Sequence, residues 1–581
     1  MDFIYCDVVV VGSGLAGLRA AIAAAESKPD LEVCVVTKVS GPRSHSIAAE
    51  GGMAGVLYPE KTGDSAELHA YDTVKGGDFL VDQDAALMLA QEAPKEIFYL
   101  EKLGVPWNRD ADGRIALRLF GGMSKPRTAF ARDKTGFFVM SALYRAARSL
   151  PIKFYEEHLV TKLFIKRGQF AGLIALDLRR GELRLFRAKA GVIATGGGGR
   201  MFKLTTMGFA NTGEMWGIAL REGIALKDME FVQWHPTALV PSGILISEAA
   251  RAEGAYLVNK LGERFMARYA PQRMELAPRD VVARAIATEC MAGRGFIHEE
   301  SKMCYVGLDL RHIDPQRMKE RLPLLMEVVR TYAGLDPTKD LIPVAPAVHY
   351  FMGGIHTDLH GRVLDANGRW IIGLWAAGEA ASVSVHGANR LGSNSLAECA
   401  VWGRLTGIQA AEFASSTQQP PALDLEAKTV YGAEERRIFD KLLHRESGGI
   451  SLGQVKSAIQ EALHSGAGIF RHKSTIEEAL TKVTRTAAKV MQVNVHDVGR
   501  TYNMELKELL ELDGAVLAAQ VILMGAYFRQ ESRGSHYRLD HPSRDDSRWL
   551  VHTIAYRYGD GVVLKWEPVR ILKWPPEVRS Y

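Results

Sequence analysis

An α/β fold built on a split dinucleotide-binding domain is predicted by three features of the sequence. The first is an apolar run at residues 6–11 that ends in Gly12-Ser13-Gly14-Leu15-Ala16-Gly17, followed by an Ala-rich helix and a second apolar strand at residues 31–37. Strand, G-x-G-x-x-G and helix in this order make a pyrophosphate site: the helix N-terminus offers free N–H groups, and the glycines let backbone approach the ligand. The second is the buried strand Val192-Ile193-Ala194-Thr195, which runs into the glycine turn Gly196-Gly197-Gly198-Gly199. The third is another buried strand at residues 371–377, ending in Gly378-Glu379, whose carboxyl suits ribityl or ribose hydroxyls. Thr37 and Lys38 stand where a nicotinamide dinucleotide site carries an acidic ribose ligand. That argues against an ordinary NAD site and leaves FAD open.

The remaining elements follow in chain order. Residues 1–238 form the first part of the FAD-binding domain, and 239–345 an inserted α+β cap over the reactive face of the flavin. Residues 346–415 complete the FAD-binding domain. Helical patterns, including 477–491 and 503–528, mark 425–535 as a helical bundle. The alternation of Val562, Leu564 and Trp566 marks 536–581 as a small β-containing unit.

Composition excludes several classes. With 47% hydrophobic and 24% charged residues, this is an ordinary globular chain. A net charge of +5, from 72 basic and 67 acidic residues, is too mild to argue for nucleic acid, and no Lys/Arg-rich tract supports an RNA-modifying flavoprotein. A basic mouth for a dianionic substrate fits that balance. No run of 18 apolar residues exists; the nearest, 512–528, contains Asp513 and Gln520 and reads as a buried helix. No signal or transit peptide is expected. Cys6, Cys34, Cys290, Cys304 and Cys399 are scattered, odd in number and without C-x-x-C, which predicts reduced thiols in a cytosolic compartment. They lack the spacing of iron–sulfur ligands, so a single-electron wire must lie on another chain.

The chemistry concentrates in a few segments. Gly41 to Met53 reads GPRSHSIAAEGGM and follows the dinucleotide unit, which places it beside a flavin ring. His45 there can attack the 8α-methyl carbon of the flavin, while Gly51 and Gly52 let backbone come close to a flat ring. Five other segments gather Arg and His: WHPT at 234–237, SEAAR at 247–251, PRD at 278–280, VHYFMGG at 348–354 and HGANRLGSNS at 386–395. Arg forks bind carboxylates bidentately and His and Ser donors fix the far end, the inventory a dicarboxylate needs.

The sequence resembles the flavoprotein subunit of succinate dehydrogenase and fumarate reductase along nearly its whole length. The motifs are RSHSIAAEGG, NTGEMWGIA, QWHPT, ISEAARAEGA, GERFMARYAP, PRDVVARA, VHYFMGGI, AAGEAA, HGANRLGSNSL and WEPVR. The resemblance implies covalent 8α-N-histidyl FAD at His45, with Gly12, Ser13, Gly14, Leu15, Ala16, Gly17, Thr37, Lys38, Ser44, Ser46, Gly51, Gly52, Glu214, Glu379, Ser395 and Leu396 around it. It implies that His235, Ser247, His349 and Arg390 bind the carboxylates of succinate or fumarate. Arg279 would exchange the proton, and Glu248 and Arg251 would relay it. An acid–base Arg needs its pKa, ordinarily above about 12, lowered by burial among cations. The implied partners are an iron–sulfur subunit and a quinone-binding membrane anchor, with the complex peripheral on the cytoplasmic side of a prokaryotic membrane.

Departures from the family pattern are Ser247 for Thr, Glu214 for Asp, and lost glycines in EAARAEGA. The last is shared with L-aspartate oxidase, the alternative reading. That family lacks the flavin-linking His and this C-terminal unit. Glu50 stands where fumarate reductases tend to carry Glu and succinate dehydrogenases Gln. A carboxylate there should lower the flavin potential and tilt the chain toward fumarate reduction.

Overall fold

The structure is a computed structural model that describes residues 3–418, 424–443 and 449–579. Residues 1–2 and 580–581, the outer ends of the first and last predicted domains, and 444–448 of the predicted bundle lie outside the described residues. The central sheet has eight strands among the described residues. Its parallel part runs in the spatial order Ile152–Glu156, Val33–Thr37, Phe3–Val11, Glu182–Ile193, Trp370–Ala376. The three segments singled out in the sequence therefore lie side by side. Their near-continuous apolar character follows from burial on both faces. Val8 and Val10 pack toward the fingerprint helix, whereas Val9 and Val11 pack toward the antiparallel strands His158–Lys166 and Gln169–Asp177.

The fingerprint helix Leu15–Ser27 lies against helix Asn394–Ser416. Two glycines one turn apart make that approach possible. A Cβ on Gly403 would sit 2.7 Å from the Ala16 carbonyl oxygen, and one on Gly407 2.2 Å from that of Ala20. The second half of the split domain is thus locked to the first, and the N-termini of both helices meet one cavity.

Between the halves, a four-strand path orders Val232–Leu239, Ile342–Phe351, Cys304–Asp309 and Tyr256–Val258. Its helices Glu248–Ala252, Arg279–Met291, Pro315–Arg321 and Pro323–Ala333 bury a separate apolar cluster around Leu257, Ile286 and Val344. The strands through which the chain leaves and re-enters the central domain pair with each other and carry His235 and His349.

The C-terminal helices include Leu452–Gly466, Lys473–Val490 and Met504–Phe528. Met504–Phe528 is long and apolar enough to cross a membrane, but 83% of its apolar window is buried inside the protein, as a core helix requires. The last hairpin, Val551–Tyr558 with Gly561–Pro568, does not stand apart. It joins Leu226–Lys227, Gly354–His356 and Ala381–Ser382 in one five-stranded sheet, through the pairing of Leu226 with Ala555.

The expectation of five reduced thiols is corrected at one pair. Cys290 and Cys304 form a disulfide between the end of helix Arg279–Met291 and strand Cys304–Asp309, while Cys6, Cys34 and Cys399 are free. The pair is separated by 14 positions in the sequence, a spacing with no motif value. Tertiary packing alone brings the sulfurs together.

Candidate active site

One cavity of about 320 Å³ runs from the fingerprint turn to the cap. Gly12, Ser13, Gly14, Leu15 and Ala16 form one wall, with Thr37 and Lys38 beside them. Gly12 has φ of 106°, and a Cβ there would lie 2.3 Å from the Ala194 carbonyl oxygen, so only glycine closes this turn. The Leu15 N–H at the start of the helix donates to Ser46 Oγ at 3.1 Å, and the first turn holds no acidic residue that would repel an anionic pyrophosphate. Ser395 and Leu396 open helix Asn394–Ser416, whose N-cap Ser393 takes φ of 65° and makes no cap bond. The Ser44 hydroxyl is buried on the wall without a partner. Open N–H groups, glycine backbone and an orphaned hydroxyl fit FAD.

His45, Ser46, Gly51 and Gly52 line the same cavity. Burial, helped by the Arg200 guanidinium, lowers the His45 pKa to about 4. The imidazole is therefore neutral near pH 7, as a nucleophile must be. Gly208 N–H points at its Nδ1 at 3.3 Å. Glu379 accepts from the Phe351 N–H at 2.9 Å, and burial raises its pKa to about 8.

Four expected cofactor or relay residues stand differently from the rest. Gly17 does not line the cavity. Its missing Cβ would fall 2.1 Å from the Gly12 carbonyl oxygen, so it serves the helix–strand approach instead. Lys38 does reach the wall, but its three donors are spent on Thr212 (3.0 Å), Glu214 (2.6 Å) and Glu511 (3.0 Å). Glu214 is correspondingly held by Lys38. Arg251 does not line the cavity; its side chain is fully buried and reaches Glu248 at 3.8 Å.

At the cap end, His235, Ser247, Glu248, Arg279, His349 and Arg390 converge. The His235 and His349 rings lie 4.9 Å apart. Both pKa values fall well below the ordinary range, first through burial and then through cations: Arg279 and Arg251 for His235, and Arg279 and Arg390, after His235 itself, for His349. Both imidazoles are neutral donors. Thr206 Oγ1 lies 2.7 Å from His349 Nδ1 and fixes that ring. Arg390 stacks over Tyr350 with its guanidinium carbon 4.5 Å from the ring centre, and its Nε has no partner. Burial and then Arg279 lower its pKa to about 9. This cation is short of counter-charge, which a substrate carboxylate would supply.

Arg279 donates to Glu248 Oε2 at 2.9 Å and to Gln233 Oε1 at 3.2 Å. The Gly121 N–H binds the other Glu248 oxygen at 2.8 Å. Arg251 Nη2 lies 3.8 Å from Glu248, and its Nη1 donates to the Glu275 carbonyl at 2.6 Å. Burial alone would raise the Glu248 pKa, but Arg279 and Arg251 outweigh it and hold it below the ordinary value. The carboxylate is ionised between two guanidiniums.

The electrostatic argument from Glu50 is overturned. Burial, and then Asp133, push its pKa well above the carboxylate range, against a hydrogen bond with Ser247. A carboxyl kept neutral by burial carries no charge to lower a flavin potential, so the tilt toward fumarate reduction keeps only the residue-type resemblance at Glu50.

Residue-by-residue reading passed over Gln233, which accepts from Arg279 while donating to the Arg390 carbonyl at 2.8 Å. It also passed over Tyr350, whose hydroxyl reaches Glu398, itself 2.8 Å from His386. Both lie inside the quoted motifs, next to the histidines that drew attention.

Comparison with known proteins gives the same answer. A family model described as FAD binding domain matches residues 7–396, and one described as fumarate reductase flavoprotein C-term matches 456–581. The fumarate reductase flavoprotein subunit of Mycobacterium tuberculosis is 42% identical, covering 99% of each chain. The succinate dehydrogenase flavoprotein subunit of Rickettsia bellii is 40% identical, over 99% of this chain and 97% of its own. The solved E. coli quinol fumarate reductase FrdA, carrying a Glu-to-Gln substitution, superposes with a TM-score of 0.94 at 39% identity, covering 100% and 99%. The Mycobacterium smegmatis Sdh1 complex does so at 0.84 and 32%, covering 100% and 96%. The chain belongs to the family of fumarate reductase and succinate dehydrogenase flavoprotein subunits.

Proposed function

We propose that the chain interconverts succinate and fumarate as the flavoprotein subunit of a membrane-associated complex. It holds FAD covalently through His45 and exchanges electrons with an iron–sulfur subunit, which a quinone-binding anchor ties to the cytoplasmic face of a prokaryotic membrane. The observation that carries the reading is the ionised Glu248 between Arg279 and Arg251, at the end of a cavity that also holds two neutral imidazoles and Arg390. L-Aspartate oxidase is not favoured, since the fumarate reductase C-terminal model spans 456–581.

Bound FAD supplies a hydride donor and acceptor. His235, Ser247, His349 and Arg390 bind the two carboxylates of fumarate and withdraw charge from its double bond. Arg279 would deliver a proton to one alkene carbon, the other taking the hydride that bound flavin would supply, which gives succinate. Glu248 and Arg251 then restore the proton to Arg279. The reverse path oxidises succinate. Among the described residues no group of three or more His, Cys, Asp and Glu could hold a metal ion, and the iron–sulfur partner would carry the electrons onward. The test is turnover by the purified flavinylated chain alone. It should support succinate-dependent reduction of artificial dyes but reduce quinone poorly until the iron–sulfur and anchor subunits are added. Rapid quinone reduction by the single chain would sink the reading in favour of a self-contained oxidase.

A further inference from the structure

Arg390 sits in a segment whose two ends are pinned to each other. His386 precedes it, Glu398 lies near the start of helix Asn394–Ser416, and His386 Nε2 is 2.8 Å from Glu398 Oε2. The Tyr350 hydroxyl donates to the same Glu398 oxygen and lies 3.3 Å from His386 Nε2. Burial, and then Glu398, push the pKa of this hydroxyl well above the phenol range, so it stays a donor. Tyr350, His386 and Glu398 are only 5%, 3% and 2% exposed, so water does not compete for these bonds. The Tyr350 and His386 rings meet edge to face with centroids 5.2 Å apart. The Tyr350 ring is therefore fixed at both ends, by its backbone on strand Ile342–Phe351 and by its hydroxyl.

Arg390 lies over the face of that ring. It makes no ion pair among the described residues, and its Nη1 donates to the Leu391 carbonyl at 3.4 Å. A guanidinium seated on a ring face keeps its N–H groups for a ligand, whereas one paired with a carboxylate spends them. We propose that Tyr350 is a positioning residue for Arg390, anchored by the His386–Glu398 pair, and that this network sets the affinity of the dicarboxylate site. The hydroxyl engages the carboxylate while the ring carries the cation, which keeps Glu398 and Arg390 on separate partners. The proposal rests on the reading of Arg390 as a substrate anchor.

The variants Tyr350→Phe, Tyr350→Leu, Glu398→Gln and the double variant Tyr350→Phe/Glu398→Gln test it in the assembled, flavinylated complex, with rates taken per bound flavin. Malonate is the binding probe, followed by the change in flavin absorbance; it has two carboxylates and no CH–CH bond to oxidise. Tyr350→Phe keeps the ring and loses the tether, and should raise both the malonate Kd and the KM for fumarate about threefold. Tyr350→Leu also removes the platform and should raise both about tenfold or more. In each, kcat should change less than KM, since Arg279 and Glu248 are untouched. Glu398→Gln should weaken malonate binding in the wild-type background and add nothing in Tyr350→Phe, because its effect passes through the hydroxyl. Unchanged malonate affinity in Tyr350→Phe overturns the tether, and this mildest variant decides the matter if Tyr350→Leu does not fold. A Glu398→Gln effect of equal size in both backgrounds overturns it too, as do variants that lose thermal stability with KM unmoved. A wild type that binds malonate yet leaves fumarate unreduced would count against the proposed function, while the malonate titrations would still decide the network.

Discussion

Arg279 and Glu248 share a single oxygen: Nε and Nη2 of Arg279 both lie 2.9 Å from Glu248 Oε2. This pairing leaves Nη1 directed to Gln233 Oε1 at 3.2 Å, which ties the arginine to the strand carrying His235. Shortening the side chain to lysine removes both the fork and the Gln233 bond. Arg279→Lys should lower kcat about 10²–10⁴-fold, the range of a lost general acid. KM for fumarate should change little, because the interaction belongs to the transition state. Steady-state fumarate reduction measures both. A variant with near-normal kcat would transfer the acid role to His235 or His349.

Arg390 should behave in the opposite way. Its unpartnered Nε and its place over Tyr350 suit it to the proposed carboxylate fork. Arg390→Lys loses the planar pair of donors and should raise KM roughly 10- to 100-fold, as expected for a hydrogen bond between charged groups. The wild type has a related pH signature. A group with its pKa lowered to about 9 is a cation below that pH and neutral above it. KM should therefore be flat from pH 7 to 8 and rise above about pH 9, and an Arg390→Lys enzyme should not reproduce that midpoint. A KM profile flat through pH 10 would exclude Arg390 as the titrating anchor.

How far the sequence was legible follows from how local each signal is. The fingerprint turn could be read because Gly12 must accept φ of 106° beside Ala194, a constraint written into a few adjacent residues. The helices at 473–490 and 504–528 could be read from periodicity. Three features could not. The Cys290–Cys304 bond depends on where a helix end meets a strand. The state of Glu50 depends on burial, which disfavours the charge assumed from its residue type. The spent donors of Lys38 depend on Glu511, 473 residues away. In each case the deciding partner is distant in sequence, and the resemblance to a family names the residue without its surroundings.

The same distance dependence makes Gly407 a test of the split domain. Its missing Cβ would lie 2.2 Å from the Ala20 carbonyl oxygen, on the helix whose N-terminus faces the cavity. Gly407→Ala must push the two helices apart. Overpacking of this kind costs about 1–3 kcal/mol. The substitution should lower the unfolding midpoint and loosen FAD, although residue 407 lines no part of the cavity. Thermal unfolding of the flavinylated chain, together with FAD retention in the His45→Ser background, reads both effects. An unchanged midpoint would show that the helices separate without cost.

His45 sets the last expectation. Its pKa of about 4 leaves the imidazole neutral across pH 5–8, so attachment should not slow at the acid end of that range. FAD should remain on the wild-type chain through denaturing electrophoresis and be visible by in-gel fluorescence. His45→Ser should bind FAD through the fingerprint turn and the Asn394–Ser416 helix, and release it on denaturation. Replacing a flavin C–H bond by C–N draws electron density from the ring and raises its potential. Loss of the link should therefore reduce succinate oxidation, the direction that needs a strong acceptor, more than fumarate reduction. Measuring both directions on the same preparation separates this effect from simple loss of cofactor, which would lower the two rates together. Wild-type protein that surrenders all its FAD on denaturation would remove His45 from the linkage and leave it as a neutral wall residue beside Gly208.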